Sequence, residues 1–183
     1  MFIASEKRKT NIAEYLLYMW QIEDLIRAND LDMDKITTNV IDNFGLDSQN
    51  KQMMVEWYES LIDMMHRENV VESGHLQINK NIISELARLH NAVLADARFD
   101  AYSKEFYKTL PFIVELRAKA GENRVGEIET CFNALYGLLM LRLQKREVSA
   151  QTVEAVKQIS TFLAMLSKYF YLDEHDELFK DKD

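Results

Sequence analysis

The sequence predicts an all-α protein, a single-domain bundle of six or seven helices with a buried central helix. Three observations predict it. The 183 residues include only five Gly and one Pro, against nine Met and abundant Leu, Ile, Glu, Lys and Ala, a composition that favours helices over sheet. Apolar residues recur three and four apart along most of the chain. Finally, Cys131 to Leu143 is almost unbroken apolar sequence; ~13 residues are too few to cross a bilayer, which needs ~20, and too many for one strand.

A first long helix is expected over about Ser5 to Asn29. With Ile12 as origin, Leu16, Met19, Ile22 and Ile26 fall within roughly 80° of it, while Glu14, Gln21 and Asp24 project the other way. Glu23 falls at about 20°, inside the apolar face, where a lone carboxylate is costly to bury. A cationic or hydrogen-bonding partner is therefore expected for it. A short helix follows from Met33 to Asn43, with Asp32 as N-cap and Gly45 to end it. The next starts at Asp47 or Ser48 and sets Met53, Met54, Trp57, Tyr58, Leu61, Ile62, Met64 and Met65 opposite a stripe of Glu56, Glu59, Asp63 and His66. Asn69 to Gly74 interrupts the pattern, and Ile78, Ile82, Ile83, Leu86, Leu89, Val93 and Leu94 restore it to about Asp96.

Asp100 is placed to cap the following helix, which meets Pro111, the only proline. Proline removes a backbone donor and clashes one turn back, so either the helix kinks near Tyr107 or Thr109 caps a new one; the new start is preferred. A polar turn is expected over Ala120 to Gly126. The central helix then runs from Glu127 to Arg146, with Ile128, Phe132, Leu135, Leu139 and Leu143 on one face and Thr130, Asn133, Ala134 and Gly137 on the other. Gly137 in mid-helix costs about 1 kcal/mol relative to Ala, which close approach of another helix would offset. That small-residue face marks Thr130, Asn133 and Gly137 as interface candidates. Ser149 caps a last helix to about Leu172, facing Val153, Val156, Ile159, Phe162, Leu163, Leu166, Tyr169 and Phe170 inward. Residues 1–172 form the expected domain, and 173–183, with six acids against two lysines, an acidic, disordered tail.

The net charge of -8 argues against broad nucleic-acid binding. A basic strip of Lys119, Arg124, Lys145 and Arg146 would have to join the two ends of a helix about 30 Å long. The single Cys131 has no intrachain partner and lies in apolar sequence, which marks it as structural. Met1 to Thr10 lacks the apolar core of a signal peptide, so a cytoplasmic protein with no membrane association is expected.

Arg142, like Glu23, projects onto an apolar face, and the two form the leading ion-pair or ligand candidates, with Asn133, Tyr136 and Arg117 able to add polar groups to an interhelical pocket. Asp63 and His66, at i and i+3, resemble half of a helical di-iron site. The only comparable pair is Glu72 and His75, and the stripe faces away from the apolar side, so no metal or other cofactor is expected. His90 and His175 are read as surface groups. No phosphate-binding glycine loop, nucleophile elbow or zinc cluster occurs, which leaves no positive argument for an enzyme.

The run Phe2 to Ala28, including Tyr15, Trp20, Glu23, Asp24 and Arg27, resembles an uncharacterised all-helical bacterial family of Bacteroidetes type, DUF4924. Trp57 to Asp63, Tyr107 to Lys119 and Glu127 to Arg146 are similar to the same family, so the resemblance covers nearly the whole chain. It implies a small cytoplasmic helical protein and supplies no activity, cofactor or catalytic residue. The double-faced central helix, with the Met-rich helix Met53 to Met65 as a second adaptable surface, leads to the expected function, a non-enzymatic interaction module that is either a homo-oligomer, most simply a homodimer, or an adaptor for a protein partner. The alternative is a small-molecule or metal-binding bundle with a polar interhelical pocket.

Overall fold

A computed structural model describes residues 1–121 and 124–180. Among them the protein is all-α, with eight α-helices, two short 3-10 turns and no strand. In order these are α1 (Phe2–Thr10), α2 (Ile12–Ala28), α3 (Met33–Asn39), α4 (Ser48–Arg67), α5 (Gln77–Leu94), α6 (Asp100–Lys119), α7 (Glu127–Leu143) and α8 (Ala150–Glu174). The count exceeds six or seven because the first long helix breaks at Asn11. Its Oδ1 accepts from the Ala13 and Glu14 amides at 3.1 and 3.2 Å, the geometry of an N-cap that starts α2 afresh.

Other boundaries follow local chemistry. Asp32, Asp47 and Ser149 cap α3, α4 and α8 through their side-chain oxygens, and Gly45 takes the left-handed conformation, φ 59°, after the 3-10 turn Ile41–Phe44. Pro111 does not begin a new helix. Thr109 donates its hydroxyl to the Glu105 carbonyl at 2.9 Å instead of capping, and α6 runs through, because Pro111 and Tyr107 both lie on its exposed side where water reaches the backbone. Nor does Asp100 cap α6; it is the first helical residue, preceded by the 3-10 turn Ala97–Phe99 that Asp96 caps. The central helix ends at Leu143 rather than Arg146, closed by Lys145 at φ 54° and a bond from the Arg146 amide to the Leu141 carbonyl.

The contacts cluster into two compact units, Met1–Arg8 with Tyr15–Asn81 and Lys9–Glu14 with Ile82–Asp183. In the first, Met19, Ile22 and Ile26 of α2 join Ile36, Met54, Tyr58, Leu61, Met65 and Leu76 in one apolar core. In the second, α6, α7 and α8 pack on one another around Tyr102, Phe106 and Phe162, each of the first two with its ring centroid 5.6 Å from that of Phe162. Such tilted aromatic pairs add to the about 1.5–3 kcal/mol that each large buried side chain contributes. Cys131 is fully buried there, and burial pushes its thiol up to about 12.

The central helix is less buried than expected. Burial of α7 is incomplete: Ile128, Thr130, Cys131, Phe132 and Leu138 are buried, but Asn133 and Gly137 on the small-residue face are exposed and Leu143 is 64% exposed. A Cβ at Gly137 would meet nothing within 4 Å among the described residues, so the close approach expected there is not made by any of them. The segment after α8 is packed as far as it is described, since Leu178 is buried and Phe179 lies edge-on to Phe99 at 5.5 Å. The remainder of the acidic tail, 181–183, and Glu122 and Asn123 of the 120–126 turn lie outside the described residues.

Candidate functional site

Glu23 is 1% exposed, as its place on the apolar face of α2 requires, and it has the partners such a carboxylate needs. Oε1 accepts from the Leu76 amide at 2.9 Å and from Asn79 Nδ2 at 2.7 Å, and Oε2 meets His75 Nδ1 at 2.5 Å. The His75 ring stacks on Trp20, 4.1 Å between centroids at 12°. Arg27, one turn further along α2, donates to the Val70 and Gly74 carbonyls. Together these bonds fasten the segment 70–79 to α2. Arg142, the partner suggested by sequence, is exposed near the end of α7 in the second unit; its guanidinium is solvated while Glu23 is served by neighbours from its own unit.

Arg117 stands differently. It lies in the last turn of α6, one turn beyond the buried Ile113, so the helix carries it along the packed side. Its Nε is buried and has no hydrogen-bond partner among the described residues. Two cavities share it. One, of about 200 Å³, is walled by Leu116, Ala120, Val125, Thr130, Asn133 and Ala134. The other, of about 300 Å³, is walled by Ala87, His90, Asn91, Gly126, Glu127 and Ile128. The structure thus sets Arg117 and Asn133 on one cavity wall, together with Thr130, whose hydroxyl donates to the Gly126 carbonyl at 2.8 Å.

His90 is the residue that sequence reasoning missed. Read as a surface group, it is 3% exposed. Its Nδ1 lies 2.7 Å from the buried Tyr102 hydroxyl, and its Nε2 faces Glu127 Oε2 at 3.8 Å. Burial drives the Tyr102 phenol upward and the His90 imidazole downward, the latter opposed by Glu127. Both are neutral at pH 7. Tyr102 donates to Nδ1, which leaves the proton on Nε2 directed at the acceptor-only carboxylate. The signal was present: with Ile82 as origin the apolar residues of α5 span about -40° to 120°, and Asn79 and His90 fall at about 60° and 80°, inside that arc.

The remaining candidates stay apart. Glu56, Glu59 and Asp63 line a solvent-open groove with Leu31, Met33, Ser60 and Ile62. Asp63 is bound to Arg67 at 3.2 Å, and His66 is exposed. Among the described residues no three His, Cys, Asp or Glu side chains converge as metal ligands. No described helix is long and apolar enough to cross a membrane.

A family model described as a domain of unknown function, DUF4924, matches residues 1–177. No curated protein and no solved structure matches the chain.

Replacing Glu23 with Ala leaves the Leu76 amide, Asn79 and His75 without their shared acceptor, and urea denaturation should register a loss of about 3–5 kcal/mol; a loss below about 1 kcal/mol would show that water replaces the carboxylate. His90 gives a pH signature. Its folded value lies below the ordinary 6.5, so under acid conditions the unfolded chain binds the proton first. Stability should fall as pH drops through the unfolded value, and His90→Gln should remove part of that fall in thermal melts taken from pH 8 down to about 5.

Proposed function

The chain belongs to the DUF4924 family of unknown function, and from the geometry we propose that it is a helical binding protein whose Arg117 receives the carboxylate of a small organic acid. One observation carries this reading: a guanidinium with a buried, unpartnered Nε forms the common wall of two cavities. An arginine fork matches a carboxylate with two parallel hydrogen bonds. The volumes sit at or below the small end of the usual ligand-pocket range. The polar groups on the walls serve recognition, and no nucleophile paired with a base stands among them, which favours binding over catalysis.

Calorimetric titration of the full chain with isocaproate tests this. Binding is expected, weakened about tenfold or more in Arg117→Gln. Absence of heat and of amide shifts for residues around Arg117 would overturn it.

A second reading, a homodimer or a surface for a protein partner, draws support from exposed apolar residues on α6 and α7. Tyr107 and Val114 on α6 and Leu143 on α7 are 61, 57 and 64% exposed, and Gly137 stands open on α7. A second helix lying across Gly137 would offset its cost in mid-helix. On this reading light scattering gives twice the chain mass, and Gly137→Leu returns it to a monomer without loss of helix content. A single-chain mass at every concentration removes the homodimer.

A further inference from the structure

Arg117 is not the only charge on its cavities. Glu127 shares the larger one with it, and its carboxylate lies 3.8 Å from His90 Nε2. Because burial keeps His90 neutral, that contact does not offset the negative charge. A ligand carrying only a carboxylate would gain Arg117 and meet Glu127 as a like charge in the same cleft, which is unfavourable. A ligand that also carries an ammonium turns that repulsion into a second charge-assisted hydrogen bond. The smaller cavity supplies the third requirement. Apart from Arg117 and the polar Thr130 and Asn133, its wall is Leu116, Ala120, Val125 and Ala134, and Thr130 has already given its hydroxyl proton to Gly126.

We propose that the site takes an apolar α-amino acid, with its carboxylate on Arg117, its ammonium on Glu127 and its side chain against Leu116, Ala120, Val125 and Ala134. The two ionic groups of an amino acid are joined through one carbon, so both engage within a single cleft, while the side chain leaves that carbon toward the second cavity that Arg117 also lines. Asn91, exposed on α5 and lining the larger cavity, adds an amide whose NH2 can donate to the carboxylate or whose carbonyl can accept from the ammonium. His90, held by Tyr102, stands 3.8 Å from Glu127, too far for a hydrogen bond, and leaves that carboxylate free for the ammonium.

This assignment rests on the reading of Arg117 as a carboxylate site, and three probes keep the two separable. L-leucine, isocaproate, which lacks the amine, and isoamylamine, which lacks the carboxylate, are titrated into the full chain by calorimetry. L-leucine is expected to bind about tenfold or more tighter than isocaproate, with isoamylamine weakest. In Glu127→Gln the advantage of L-leucine disappears and isocaproate binds at least as well as before, which also shows that the variant is folded. Equal affinity of L-leucine and isocaproate for the native chain overturns the amino-acid assignment and leaves the carboxylate site standing. A preference for L-leucine that survives Glu127→Gln overturns it as well. Failure of both to bind removes both readings.

Discussion

A carboxylate taken out of water must be met by donors, and the first unit is arranged around that requirement at Glu23. Side chains on the apolar face of α2 enter a core of Ile, Leu and Met, so Glu23 enters with them. Three donors converge on it, two side chains and one backbone amide, all from a stretch of five residues. Those donors come from the end of a loop and the first turn of α5. Removing the carboxylate would therefore do more than delete one interaction, since the same bonds set where α5 begins.

The second unit meets the same constraint with neutral groups. His90 and Tyr102 are surrounded by aromatic rings, with Phe106 4.6 Å and Phe162 5.7 Å from the imidazole between centroids. Neither is charged in that setting, and each satisfies the other through one hydrogen bond. The ion pair that could follow, with Glu127, stays long at 3.8 Å. The result is a carboxylate at the start of α7 and a guanidinium at the end of α6, both bordering one cleft. Helix ends gather in this way because α6 and α7 are consecutive and pack together, which brings the C-terminal turn of one beside the N-terminal turn of the other.

Arg117 and Arg142 show why burial, not charge, separates a candidate site from a surface. Both are helical arginines near a C-terminus, where the helix dipole suits a cation. Arg142 stands exposed in water that satisfies its donors. Arg117 is drawn along the packed side of α6 until its Nε is out of solvent with no hydrogen-bond partner among the described residues. The stripe Glu56, Glu59 and Asp63 is the acidic counterpart of Arg142: a regular spacing facing water, with Asp63 held by Arg67 on the same helix.

The sequence by itself determined the helical class, most of the caps and the burial of Glu23, because each depends on spacing and on side chains within a few residues of one another. It also contained the burial of His90 and Asn79, which lie inside the apolar arc of α5 as Glu23 does inside that of α2. Asn11 as a break and Pro111 as no break were less legible, since a side-chain cap and a solvent-facing carbonyl are alternatives that spacing leaves open. Only the tertiary structure decided the partners: His75 reaches Glu23 across 52 positions, and the cavities around Arg117 draw on α5, α6 and α7 together. Periodicity assigns a residue to a face, but which residue of another helix stands opposite that face depends on how the helices pack.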